Sequence, residues 1–495
     1  MPHIFCKVLH LKLNKMIFTN TYFLIVVAYF AGIILLSLLT RKIASRSVAD
    51  YLVAGRNLGM TFCAVVVAAE WLGGMSTIGV SEKAFNTLSF QPILYNVSTA
   101  IGMIIIGFTV AKWYREQNVH TVSEMLDFLY GRDAKKISAI AFLVAYITLA
   151  YVQMQTAASV LSAIFQISWL SAIVISAIVI TVYTYVGGMH ALAITSVAHT
   201  LMMFLGVGLA TIIGMIKIGG FAELQHILAA KGAPGNIYNP FSAGLSGAFS
   251  LLLGGVLGGM AAQASIQPIF AARDAATAKK ASILSSALIA PFGVMTALLG
   301  LIGATGYFLD VETVNPKMVL TSLLTNPEFI HPVFGGLALS GILAAILSTV
   351  GPVNFAVVTI ATKDIYHGFI NPKANEQQVI GVAKKLVILV TIITLPLAIF
   401  FQKGILDAAY VSYAIRAIGA IVILLGIYKR NWISPYAVKL AFIGGTSAIF
   451  IFMLAAKMKW FNIDKTYGAV VFAIVFIIIG NLIENFRRKK ATRNE

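Results

Sequence analysis

The chain has 495 residues, 59% of them hydrophobic and only 11% charged, whereas a soluble globular protein is nearer half apolar and a quarter charged. That balance excludes a water-soluble enzyme and points to an all-α polytopic membrane protein. The net charge of +18 would suggest nucleic acid on a soluble chain; here the basic residues read as topological labels, and no nucleic-acid partner is expected.

Residues 1–17 form a tail with three lysines and no recognisable element, and Met16 is an alternative start that an intact mass would distinguish. The first apolar run, 18–40, is followed by Thr40-Arg41-Lys42 and lacks a small-residue cleavage site, so it reads as a retained peripheral span rather than a signal peptide. Twelve more runs follow, at 58–80, 91–113, 137–165, 168–187, 191–216, 241–265, 282–307, 333–362, 383–402, 405–428, 435–456 and 467–486, each able to cross about 30 Å of hydrocarbon. About thirteen transmembrane helices are expected. Between the third and fourth, HTVSEMLDFLYGR (120–132) has the spacing of a short interfacial helix with a Thr121–Glu124 capping box. Two cysteines, Cys6 and Cys63, imply no disulfide framework.

Of the 36 Lys and Arg, 24 fall in segments that are cytoplasmic if the C-terminus is inside. The expected orientation is therefore N-terminus outside and C-terminus inside, in the cell membrane. The basic tail 487–495 is also placed to touch anionic lipid headgroups of the bilayer.

Two runs carry glycine pairs. AAEWLGGMSTIG (68–79) lies in span two, and LLGGVLGGMAAQ (252–263) lies in span seven. They are five spans apart, and five is odd, so units 58–216 and 241–428 face opposite ways: a 5+5 inverted repeat with a discontinuous first helix in each half, followed by two C-terminal helices over 435–486. Broken helices at mid-membrane expose carbonyls and helix ends that bind ions and solute. Small-residue packing is the competing reading, and it is stronger for span seven.

Glu70 lies too deep to snorkel and must be paired, protonated or facing a wet cavity. Arg416 is the only arginine near the centre of a span and needs an anion or a carbonyl cage. It either pairs with Glu70 or offers its fork to a solute carboxylate. Gln153, Gln155, His199 and Gln263 are lesser candidates, each readable as an interhelical hydrogen bond. In LAAILSTVGPVNF (343–355), Ser348 and Thr349 stand side by side. With the Ala345 carbonyl one turn earlier and carbonyls from a broken partner helix, they supply the all-oxygen shell that a hard cation such as Na⁺ requires.

Several segments together resemble the sodium:solute symporter family: ADYLVAGRNLGM (49–60), TVSEMLDFLYGR (121–132), YVGGMHALAITS (185–196), QASIQPIFAARDAATAKKA (263–281), GLALSGILAAILSTV (336–350) with TKDIY (362–366), and IYKRN (427–431). The resemblance covers roughly residues 21–435. It implies a leucine-transporter-type fold with the first span peripheral. It also implies a sodium site from the carbonyls of Ala64 and Val67, the Ala345 carbonyl and the Ser348 and Thr349 hydroxyls. Glu70 and Trp71 then take positions that line the solute cavity in sugar-carrying relatives. Three departures stand out. Ser196 replaces an aspartate tied to a second ion site or the ion's exit path. Gln267-Pro268 stands for Gln-Arg. Gly258 and Gly259 stand where sugar-type members have a bulky aromatic gate, which disfavours a sugar.

The expectation is a secondary active transporter, not an enzyme, that couples Na⁺ to a small organic solute by alternating access. An anionic or zwitterionic metabolite fits best, an amino acid, carboxylate or vitamin, with Glu70, Trp71, Gly258, Gly259, Gln263 and Arg416 as solute-binding residues. Proton coupling through Glu70 and a transport-silent sensor or scaffold are the alternatives. No cofactor is expected beyond Na⁺ as coupling ion. No nucleotide-binding loop or HExxH metal helix occurs in the sequence.

Overall fold

In hydrocarbon the backbone must satisfy its own polar groups within each segment, so apolar runs of this length become helices. The computed structural model describes residues 21–44, 57–117, 119–401, 404–429, 432–461 and 463–494. The tail 1–17, Cys6, the alternative start at Met16 and motif residues 49–56 lie outside them.

In chain order the helices are α1 (Thr21–Ala44), α2 (Met60–Trp71), α3 (Val80–Thr87), α4 (Leu94–Thr109), α5 (Ala111–Glu116), α6 (Val122–Tyr130), α7 (Arg132–Phe165), α8 (Trp169–Ile218) and α9 (Phe221–Ala230). After them come α10 (Leu245–Met260), α11 (Gln263–Phe270), α12 (Ala275–Ala304), α13 (Val319–Leu324), α14 (Pro332–Thr359), α15 (Glu376–Phe400), α16 (Ile405–Tyr428), α17 (Pro435–Lys457) and α18 (Lys465–Asn494). A π-helical turn, Met75–Gly79, leads into α3, and a longer one, Ile360–Ile370, extends α14. An isolated bridge joins Leu58, just before α2, to Ala272, just after α11, through two backbone hydrogen bonds of 3.0 Å.

Among the described residues ten helices have the length and hydropathy of a crossing, or eleven when the bent pair Met60–Trp71 and Met75–Thr87 counts as one. The apolar stretches Thr21–Leu36 and Trp169–Val182 are shorter. The expected thirteen is not reproduced one for one. Spans 168–187 and 191–216 join in α8, whose fifty residues stay helical throughout; at 1.5 Å per residue that is about 75 Å, far more than one crossing needs. Residues 487–494 of the basic tail continue the last helix.

Two polar fastenings hold opposite ends of the bundle. At one end Glu82 Oε2 accepts the N–H of Ile405, the first residue of α16, at 2.9 Å, and Lys83 pairs with Asp407 at 2.9 Å. Buried Lys317 donates nearby to Gln155 Oε1 (3.3 Å); burial lowers its pKa, and the charge of Glu82 opposes that shift. At the other end Thr121 caps α6 by accepting the Glu124 N–H (2.9 Å) and donates to buried Asp364 (2.8 Å). Glu124 reaches back to the His120 N–H (2.7 Å), one residue before the box expected from sequence. Lys135 lies 3.7–3.9 Å from Glu124, Asp127 and Asp364.

Candidate functional site

Helix α2 stops at Trp71, and the chain resumes after a bend of 54°. A helix end leaves its last four carbonyls without intrahelical donors. Here Leu72 N–H returns to the Ala68 carbonyl (3.0 Å), which leaves those of Ala69, Glu70 and Trp71 for other partners. Ser76 Oγ donates to the Trp71 carbonyl (3.0 Å). The other two face α14: Ser348 Oγ donates to the Ala69 carbonyl (2.8 Å), and Thr349 Oγ1 to those of Glu70 (2.9 Å) and Ala69 (3.3 Å). Both hydroxyls also reach the Ala345 carbonyl, at 2.9 and 3.2 Å. Five oxygens thus converge in a buried spot with no fixed charge among them, a donor set suited to a hard alkali cation.

The ligand set expected from sequence needs one correction. Ala64 and Val67 lie inside the unbroken part of α2, where each carbonyl already accepts from the residue four further on. The carbonyls that meet Ser348 and Thr349 belong to Ala69 and Glu70, in the last turn before the break.

Gly73 and Gly74 allow this meeting by lacking a side chain. A Cβ on Gly73 would lie 2.0 Å from Thr349 Oγ1, and one on Gly74 would lie 2.2 Å from Thr156 Oγ1. In α14, Pro352 has no N–H to offer the Ser348 carbonyl, so the helix is also loosened beside the hydroxyls.

The second interruption falls at Ala261 and Ala262, not at the glycines. Tyr114 donates its hydroxyl to the Met260 carbonyl (2.8 Å), and the Tyr146 hydroxyl accepts the Ala264 N–H (3.0 Å), so tyrosines satisfy both sides of the gap. Gly258 is a packing residue: a Cβ there would come 2.8 Å from the Tyr413 carbonyl. Gly259 instead leaves ordinary contact room beside the Trp71 ring, at 3.7 Å.

Next to the oxygen cluster, the Glu70 side chain accepts a short hydrogen bond from Ser265 Oγ on α11. Arg416, fully buried on α16, has its guanidinium 4.1 Å from the Tyr413 ring centre, 5.6 Å from Tyr146 and 5.8 Å from Trp71. None of its three nitrogens makes a hydrogen bond of acceptable geometry, and no ion pair of 4.0 Å or less joins it to Glu70. Pairing with Glu70, one of the two roles expected for Arg416, is therefore not seen. Trp71 Nε1, Gln153 Nε2 and Ser412 Oγ are likewise buried without partners.

Gln263 is not aimed at this space. Its amide accepts the Val122 N–H (2.7 Å) and donates to the His120 carbonyl (2.9 Å), which ties α11 to the start of α6. Gln155 bonds the carbonyls of Ala398 and Phe401, and His199 meets Tyr29, both as interhelical ties. Ala69, Tyr146, Ser265 and Tyr413 were not singled out from sequence. Of these, only Ser265 had a signal, its place just after the second glycine-rich run.

A profile of the sodium:solute symporter family matches residues 51–445. The osmoregulated proline transporter OpuE of Bacillus subtilis is 22% identical, covering 94% of this chain and 95% of that protein. The sodium/proline symporter of Salmonella typhimurium is 24% identical, covering 92% and 91%. Among solved structures, a substrate-bound, outward-open Na⁺-coupled sialic acid symporter superposes with a TM-score of 0.79 at 18% identity, over 93% of this chain and 96% of that one. The helical architecture is thus that of the leucine-transporter-type carriers. With a family match over most of its length, this chain belongs to the sodium:solute symporter family and is a membrane transporter, not an enzyme.

Proposed function

We propose that the protein is a secondary active carrier that couples Na⁺ to the uptake of a small carboxylate-bearing solute, anionic or zwitterionic, by alternating access. The observation that carries this reading is the meeting of Ser348 and Thr349 with the Ala69, Glu70 and Ala345 carbonyls at the break in span two. Na⁺ would take these five oxygens as ligands, displacing the hydroxyl protons from the α2 carbonyls and bridging α2 to α14. Glu70 belongs to both sites, offering its carbonyl to the ion and its carboxylate to Ser265, so ion binding is felt where solute binds.

The solute reading is supported by the unpaired Arg416 and by the two solutes named among the relatives, since proline and sialic acid both carry a carboxylate. The charge asymmetry of the loops supports an outside N-terminus, a cytoplasmic C-terminus and residence in the plasma membrane. The broken helices support repeat units of 58–216 and 241–428.

Reconstituted protein in liposomes tests the coupling. An inward Na⁺ gradient at fixed pH should drive solute accumulation, and a proton gradient without Na⁺ should not. Accumulation driven by protons alone would transfer the coupling role to Glu70.

A further inference from the structure

The buried surroundings of Arg416 are unbalanced in their hydrogen-bonding groups. A guanidinium carries five N–H donors and no acceptor; none of the Arg416 nitrogens makes a well-aligned hydrogen bond, and its polar neighbours are the side chains of Tyr146 and Tyr413. Trp71 Nε1, on a ring 5.8 Å from the guanidinium, adds one donor. Ser412, one turn before Arg416, has an unused hydroxyl. Against these stands one carboxylate, Glu70, which already accepts from Ser265. Beyond the hydroxyls of Tyr146, Tyr413 and Ser412, donors outnumber acceptors around the guanidinium. A buried charged donor left without a matched acceptor is costly, and the faces of three aromatic rings compensate for it only in part.

Charge points the same way. With Glu70 ionised, its charge cancels that of Arg416, and the loaded region is then neutral when the solute carries the negative charge that balances one Na⁺. An ammonium on the solute would leave a net positive charge in low dielectric. It would also bring donors to a space whose carboxylate is already in use.

Resting on the symport reading above, we infer that the solute is an amine-free organic carboxylate. Its carboxylate lies on the Arg416 fork, and its carbon body packs against the rings of Trp71, Tyr146 and Tyr413. Planar bidentate recognition of this kind belongs to arginine and not to lysine.

The test is binding to the purified full-length protein, in Na⁺ buffer, by titration calorimetry. Three molecules of one shape separate the groups: cyclopentanecarboxylate (carboxylate only), L-proline (carboxylate and amine) and pyrrolidine (amine only). Pyruvate and lactate extend the carboxylate arm. At least one amine-free carboxylate should bind tenfold or more tighter than L-proline, and pyrrolidine should not bind. Arg416→Gln should weaken carboxylate binding at least tenfold while radioactive sodium binding stays within threefold. Arg416→Lys, which keeps the charge, should fold and still bind carboxylate several-fold more weakly.

L-proline binding tighter than every amine-free acid, no carboxylate binding at all, or unchanged affinity in both variants overturns the inference. Carboxylate binding that is equally tight without Na⁺ supports the solute class and refutes the coupling, so the two claims fail separately.

Discussion

Replacing Gly73 by alanine places a methyl group 2.0 Å from Thr349 Oγ1, 2.4 Å from its Cβ and 2.8 Å from its Cγ2. Carbon atoms prefer about 3.5–4.0 Å, so the gap at Thr349 Cβ must widen by about 1 Å. No χ1 rotation achieves that, because Cβ is fixed to the backbone. Helix α14 and the break must therefore separate. The bond from Thr349 to the Glu70 carbonyl, now 2.9 Å, then passes beyond hydrogen-bond reach. Overpacking of this size costs about 1–3 kcal/mol, and a loss of that order at the ion site raises the sodium requirement about 5- to 150-fold. Gly74→Ala is the matched control. Its methyl meets Thr156 at 2.2 Å, but the Thr156 hydroxyl donates to the Gln153 carbonyl (2.8 Å) and takes no part in the oxygen cluster. Sodium-dependent uptake into liposomes is the assay, with thermal stability in detergent measured alongside. Both variants should lose stability, and Gly73→Ala alone should need at least fivefold more Na⁺ for half-maximal uptake than Gly74→Ala. The same sodium requirement in the two would remove the proposed link between the glycine and the ion.

Three further outcomes are expected. Ser348→Ala and Thr349→Ala should each raise the sodium concentration for half-maximal uptake about tenfold or more, and a double variant with wild-type sodium dependence would dismiss these hydroxyls as ligands. Gln263→Ala leaves the Val122 N–H and His120 carbonyl unmatched, which costs about 1–3 kcal/mol; melting should fall while sodium and solute requirements stay within twofold, and a selective loss of solute affinity would restore Gln263 to the solute site. At Glu124 burial raises the pKa, but hydrogen bonds from His120 and the charges of His120 and Lys135 outweigh it and hold the carboxyl at about 2 instead of 4.5. A depressed carboxylate stabilises the fold above the unfolded value and loses that contribution as pH falls through the folded one. Melting temperature should accordingly drop between about pH 4.5 and 2, and Glu124→Gln should flatten that part of the curve; parallel curves for the two proteins would deny Glu124 the role.

The helical class was written in the apolar runs, and the first break in Gly73-Gly74 beside Glu70, because a glycine pair in hydrocarbon marks either a joint or a close approach. At Gly73 it marks both. In the second half, glycine chemistry misled: Gly258 serves the approach of α10 to Tyr413, and the gap opens two residues past Gly259, where the hydroxyls of Tyr114 and Tyr146 stand in for helical partners. Those tyrosines are over a hundred residues away in sequence, and no local pattern announces them. The hydroxyl pair on α14 was legible as an oxygen source, but the register of its partner carbonyls was not. Which carbonyl is free depends on where α2 ends, and a shift of three to five residues moves the pair from Ala64 and Val67 to Ala69 and Glu70. Gln263 shows the same limit, since an amide in a membrane helix looks alike whether it faces a solute or a neighbouring loop.

Adjacent residues near the start of α3 hold the start of α16 by means of very different strength. The Lys83–Asp407 pair is open to water, and such pairs are worth at most about 1 kcal/mol. Glu82, by contrast, is buried on the Ile405 N–H, with Lys317 standing close by. The Lys317 ammonium, which donates to Gln155, adds a favourable charge beside that carboxylate. The start of the helix that bears Arg416 is thus held mainly by the buried carboxylate, while the rest of it is held by packing and by the bonds of Tyr410 to the Leu251 carbonyl and Tyr413 to the Tyr95 hydroxyl.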